Sequence, residues 1–257
     1  MNMKKLVVAN WKMNPLKGGE AQKMFLAINK TAESLKNVET VICPPLIYLQ
    51  SLGQLITKRS CVLGAQDAFW EHAGPYTGQV SPDMVFHTKS RYVIVGHSER
   101  RSMGETDEMV NKKIKSILQF PLIPILCVGE KKRDDDMQYV KDIKHQLREA
   151  LHGLTHEQVM RVVIAYEPIW SIGAHAKQVC TPAECREIVQ VIRQVLADIV
   201  SSTEHAKQVP VLYGGSVDDS NTQSFLEDGL VNGVLVGRAS LDPKTFGKIL
   251  KIADKRP

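Results

Sequence analysis

The chain has 257 residues, 43% hydrophobic and 24% charged, with a formal net charge of +5 and an isoelectric point near 8.9. These totals suit a globular chain with one sizeable core. The mild basicity suits attraction of a small anion to a cleft. No Lys/Arg block or aromatic-basic motif points to nucleic acid, and no apolar run approaches the length of a membrane span.

Taken in chain order, the start "MNMKKLVVANWKMN" carries an apolar run that is interrupted at Asn10 and Lys12, too soon for a signal peptide. Short apolar, β-branched runs then recur at 5–9, 39–42, 61–65, 92–95, 123–127, 162–166, 211–213 and 233–236. Continuous apolar strands of this kind are buried on both faces, which predicts a parallel sheet covered by helices.

Helix signals lie between the strands. Ser81-Pro82 and Asp242-Pro243 each read as a cap followed by a proline at the first helical position. Thr181-Pro182-Ala183-Glu184 reads as a capping box. Residues 137–151 put Val140, Ile143, Leu147 and Leu151 on one face, with Gly153 as the stop. About eight β–α units result, and about 250 residues is the usual size of an α/β barrel. A single (β/α)8 barrel over residues 1–257 is the expectation, and a doubly wound sheet of the same length is the alternative. The five cysteines, at 43, 61, 127, 180 and 185, are odd in number and match no metal-ligand spacing. They read as reduced thiols of a cytoplasmic protein.

Polar residues follow nearly every predicted strand. They are Asn10 and Lys12 after the first; His97, Ser98, Glu99 and Arg100 after the fourth; Cys127 and Glu130 at the fifth; and Glu167 after the sixth. The seventh and eighth run into the glycine turns "YGGSV" and "VGRAS". Each feature alone has a plain structural reading: a surface lysine, a structural histidine, a Glu99–Arg100 ion pair, a pair of tight turns. Gathered on one barrel rim they have another. A carboxylate beside a neutral imidazole and an ammonium suits removal of a proton next to a carbonyl. Glu167 would take the carbon-bound proton, and His97 and Lys12 would stabilise the enediolate oxygen. The glycine turns would offer N–H groups to a phosphate. Pro168 and Trp170 would stiffen a hinge, and the residues after them would form a lid that keeps water out. No cofactor or metal is called for.

The segments "ANWKMN", "VGHSERR", "AYEPIW", "YGGSV" and "GVLVGRAS" resemble the signature segments of the triosephosphate isomerase family, in order and spacing, from about residue 7 to 241. The resemblance implies a (β/α)8 barrel that interconverts glyceraldehyde 3-phosphate and dihydroxyacetone phosphate. It implies Glu167 as base, His97 as electrophile, Lys12 as a positively charged substrate contact, and Asn10 as an orienting group. Glu99 would stand behind Lys12, Cys127 would pack near Glu167, and Glu130 would pair with Trp170. Backbone amides of Gly173, Ser216, Gly237 and Arg238 would hold the phosphate, with Tyr213 and Ser216 latching the closed lid. The family also implies a homodimer, in which the loop 67–80 inserts into the neighbour and Thr77 reaches that subunit's site.

Four residues depart from the family pattern. Ala174 and His175 stand in the lid where a threonine and a glycine are usual. Arg238 replaces the second phosphate-loop glycine, and Asp67 replaces an asparagine. They spare the proton-transfer groups and alter the regions that judge substrate length. One alternative follows, an isomerase of a tetrulose phosphate with the same mechanism; another, of a different class, is a barrel that binds sugar phosphates without turning them over, against which the retained Lys12, His97 and Glu167 speak.

Overall fold

The computed structural model describes residues 4–56, 61–173 and 178–255. Eight strands form its centre: β1 (Lys5–Asn10), β2 (Val38–Cys43), β3 (Cys61–Ala65), β4 (Ser90–Val95), β5 (Ile123–Val128), β6 (Val163–Tyr166), β7 (Val211–Tyr213) and β8 (Gly233–Val236). Each pairs in parallel with the next, and β8 pairs back onto β1, which closes the barrel. That closure excludes the doubly wound alternative, which would leave two sheet edges.

Three strands match the expected runs and the other five differ from them by one or two residues at an end. β4 starts at Ser90 rather than at residue 92. Its two polar opening residues both have side-chain partners. Ser90 Oγ lies 2.8 Å from Thr88 Oγ1, and Arg91 donates to Glu39 on β2 at 3.1 Å. The ladder between β3 and β4 shifts register between Leu63 and Gly64.

Alternation along the strands divides the core in two. Leu6, Val8, Val41, Ile94, Ile125, Cys127, Val163, Ala165, Leu212 and Leu235 fill the barrel interior. Their neighbours, such as Val7, Ala9, Val95, Leu126, Val128, Ile164 and Tyr166, face the surrounding helices. Side chains two apart share a face. On β6 the interior line is Val163, Ala165 and then Glu167; on β1 it is Leu6, Val8 and then Asn10. Simple parity therefore delivers both polar groups to the barrel mouth.

Helix signals act where the sequence places them. Thr181 Oγ1 accepts from the amide of Glu184, whose Oε2 accepts from Thr181 N at 2.7 Å, and the helix Pro182–Val200 follows. Ser81 caps Pro82–Phe86, and Asp242 caps Pro243–Asp254 by accepting from Lys244 N and Thr245 N. The helix expected over 137–151 spans Gln138–Leu151, and Gly153 takes the left-handed φ of +72° just beyond it. All five cysteines are buried and unpaired. Among the described residues, no helix is long and apolar enough to cross a membrane.

Candidate active site

The strand ends of the barrel converge on a cavity of about 540 Å³. Its lining includes Asn10, Lys12, His97, Glu99, Glu167, Gly173, Ser216, Gly237 and Arg238. Nine expected site residues drawn from five strand ends thus share one space. A larger cavity, about 930 Å³, opens at the other end of the barrel among the strand starts. Its carboxylate, Glu39, is already engaged by Arg91 and by the Tyr92 hydroxyl at 3.0 Å. It holds no comparable array for proton transfer.

Glu167 is 2% exposed. Its Oε2 accepts from the Ser98 amide at 2.8 Å, and its Oε1 lies 3.0 Å from His97 Nε2. Two glycines make room for it, one for its backbone and one for its side chain. A β-carbon on Gly129 would stand 1.8 Å from the Glu167 carbonyl oxygen, and one on Gly214 would stand 3.1 Å from its Cγ.

His97 is set by the turn before it. Gly96 has φ +69°, its amide donates to Glu105 Oε2 at 3.0 Å, and its carbonyl accepts from Arg101 Nε at 2.8 Å. His97 then caps the short helix Ser98–Ser102, with Nδ1 accepting from the Glu99 amide at 3.2 Å. An accepting Nδ1 carries no proton, so the proton of the neutral ring sits on Nε2, facing Glu167. Burial lowers the proton affinity of this imidazole. The Glu167 charge beside it pulls the other way and prevails, so His97 stands above its ordinary value while Glu167 rests there. A second proton would have to displace the Glu99 amide. Once Glu167 turns to a substrate, the main upward pull is gone, and burial, the largest influence on the ring, favours its neutral form.

Lys12 has a left-handed backbone, φ +53°, unusual for a residue with a β-carbon. Two side chains hold it there. Asn10 Oδ1 accepts from Lys12 N at 3.0 Å, and Gln66 Nε2 donates to the Lys12 carbonyl at 2.8 Å and to the Cys43 carbonyl at 2.8 Å. The ammonium is 2.6 Å from Glu99 Oε1. Gln66 is absent from the residues the sequence singles out. A lone glutamine after the third strand carries no sequence signal, because its role is to bridge two carbonyls distant in the chain.

Around this centre stand the supporting residues. Glu130, buried, accepts from Trp170 Nε1 at 2.7 Å and from the Tyr166 hydroxyl at 2.8 Å. Burial raises it above the usual carboxylate range against those two donors. Cys127 is fully buried on β5 opposite Ala165, its thiol pushed well up by burial and then by the charge of Glu167. Ser216 Oγ donates to the Ser171 carbonyl at 2.8 Å. Tyr213 is buried, its ring stacked on Phe225 at 3.7 Å. Thr77 is exposed on the loop 67–80, away from the cavity of its own chain. Asp67 pairs with Lys113 at 2.6 Å and Arg100 at 2.9 Å, so its extra charge is matched. Ala174 and His175 lie outside the described residues. Among the described residues, no group of three or more His, Cys, Asp or Glu is placed to hold a metal ion.

A carboxylate that hydrogen-bonds an imidazole N–H, next to an ammonium and glycine turns in a closed parallel barrel, is the apparatus of a barrel isomerase that moves protons beside a carbonyl. A family model described as triosephosphate isomerase matches residues 5–253. The triosephosphate isomerase of Dictyoglomus thermophilum is 40% identical over 251 residues, covering 96% of this chain and 99% of that one. That of a Thermoanaerobacter species is 40% identical over 247 residues, 95% of this chain and 98% of the other. The crystal structure of triosephosphate isomerase from Bartonella henselae superposes with a TM-score of 0.86 at 30% identity, covering 98% of this chain and all of that one. The chain belongs to the triosephosphate isomerase family.

Proposed function

We infer that the protein interconverts D-glyceraldehyde 3-phosphate and dihydroxyacetone phosphate through an enediolate, in the manner of its family. The observation that carries the reading is the meeting of Glu167, His97 and Lys12 in one cavity, with Nε2 of His97 bearing the proton. Glu167 leaves its rest on Ser98 N and His97, takes a proton from one substrate carbon and returns it to the next. The His97 N–H and the Lys12 ammonium hold the negative oxygen, each such donor being worth roughly 3–4 kcal/mol in comparable sites. Asn10 fixes the strained turn that presents Lys12, and Glu99 holds the ammonium in place. The amides of Gly173, Ser216, Gly237 and Arg238 receive the phosphate. Glu130 anchors Trp170 at the base of the lid, Cys127 packs beneath Glu167, and Tyr213 and Ser216 latch the lid when it closes.

The chain acts in this reading as one barrel domain over 1–257, as a homodimer in the cytoplasm. Support for the dimer comes from exposed apolar side chains in the segments that follow the first four strands: Met13 (86%), Leu16 (86%), Ile47 (80%) and Met103 (71%), with Tyr76 on the 67–80 loop. Water-exposed apolar clusters of this kind mark protein contacts, and Thr77 would reach the other subunit's Asn10 and Lys12 there.

The test is kcat/KM for dihydroxyacetone phosphate against a tetrulose phosphate, with Glu167→Gln as the inactive control. Faster turnover of the triose supports the reading. A hundredfold preference for the tetrulose, about 2.7 kcal/mol of transition-state discrimination, moves the substrate assignment and keeps the mechanism. Binding of both sugars with no turnover makes the protein a sugar-phosphate binder.

A further inference from the structure

Arg238 follows Gly237 at the end of β8 and lines the same cavity as Lys12 and Ser216. Its side chain is exposed, and among the described residues it makes no ion pair or hydrogen bond. The other cation in the cavity is committed, since Lys12 is held by Glu99 at 2.6 Å. The nearby acid, Asp218, is also committed: its Oδ1 accepts from Ser220 N, Ser220 Oγ and Asn221 N of its own turn. A β-carbon on Gly237 would lie 3.6 Å from Lys12 Cε, so the two cations flank the same short stretch of backbone. Arg238 therefore lines the cavity beside the turn residues Ser216 and Gly237, and among the described residues no anion neutralises its guanidinium. Its planar fork of donors matches the oxygens of a phosphate, and hydrogen bonds to charged groups are the strong ones.

We propose that the Arg238 side chain is a direct binding contact for the substrate's phosphate, adding a charge to a grip otherwise made by turn amides; this rests on the triose-phosphate reading above. The contact is made in ground state and transition state alike, because the phosphate does not change during isomerisation. Its loss therefore falls on KM rather than on kcat. It also makes binding more sensitive to salt, since one more exposed charge is engaged.

The experiment compares wild type with Arg238→Ala and Arg238→Lys. KM for dihydroxyacetone phosphate and the Kd for inorganic phosphate, by calorimetry, are measured between low and physiological salt. The expected result for Arg238→Ala is a rise of about tenfold in both KM and Kd, a flatter salt dependence, and an unaltered Tm. Arg238→Lys recovers part of the loss. KM and Kd within twofold of wild type, with the same salt dependence, overturn the proposal. So does a loss confined to kcat, or one accompanied by a lower Tm. Calorimetry separates the two levels. If wild type binds phosphate through Arg238 but turns over no triose phosphate, the reaction assignment fails and the contact stands. Normal turnover with a phosphate Kd indifferent to Arg238 does the reverse.

Discussion

Shortening Glu167 to aspartate is the most exacting test of the proposed base. The backbone at 167 is pinned: its amide donates to the Val128 carbonyl at 2.8 Å, and its own carbonyl oxygen has Gly129 pressed against it. The main chain cannot advance to make up lost length. Removing one methylene withdraws the carboxylate by about 1.5 Å, one carbon–carbon bond. A displacement of about 1 Å at a reacting group costs on the order of a hundredfold in rate, which is about 2.7 kcal/mol of barrier. Glu167→Asp is therefore expected to lower kcat by a hundredfold or more. KM should move little, because the phosphate is gripped by loops at other strand ends. The assay couples dihydroxyacetone phosphate formation to a nicotinamide-dependent dehydrogenase. In parallel, entry of solvent deuterium into the sugar should slow by the same factor. A variant within tenfold of wild-type kcat would refute the assignment of Glu167 as base, and with it the enediolate route.

Three further outcomes are expected. In Glu167→Ala the main upward pull on His97 is lost and only the smaller one from Glu99 remains, while burial and Lys12 still press downward, so the imidazole pKa falls relative to wild type; NMR titration of the ring nitrogens reads the shift, and an unchanged or higher value contradicts it. Lys113, 2% exposed, pairs with Glu105 and Asp67, and Lys113→Met strands the buried carboxylate of Glu105 and leaves the partly buried Asp67 with Arg100 alone. A loss of roughly 3–5 kcal/mol of stability is expected, seen as a lower denaturation midpoint, whereas a loss under about 1 kcal/mol would show that water reaches the cluster. The thiols of Cys61 and Cys180 are pushed up to about 12, chiefly by burial, and the other three lie in the core as well. Native protein near pH 8 should thus react slowly with a disulfide reagent and release all five thiols only on unfolding; a fast-reacting thiol in the native state would be evidence against this packing.

The amino-acid order by itself settles the strands, the caps and the parity that points Asn10 and Glu167 at the barrel mouth. These depend on neighbours within a few residues. The apolar runs at 61–65, 211–213 and 233–236 coincide with β3, β7 and β8 because burial on both faces writes itself into composition. The capping box at Thr181–Glu184 works the same way. Closure of the sheet was not local information: the pairing of Leu6–Ala9 with Gly233–Val236 joins the two ends of the chain, and only that contact separates a barrel from an open sheet. The tautomer of His97 and the left-handed turn at Lys12 likewise depend on three-dimensional partners. They are the Glu99 amide, the Gly96 turn held by Glu105 and Arg101, and Gln66 reaching from beyond β3. A side chain's chemistry is carried by its identity, but its proton and its reach are set by whatever the fold brings within 3 Å, about the length of a hydrogen bond.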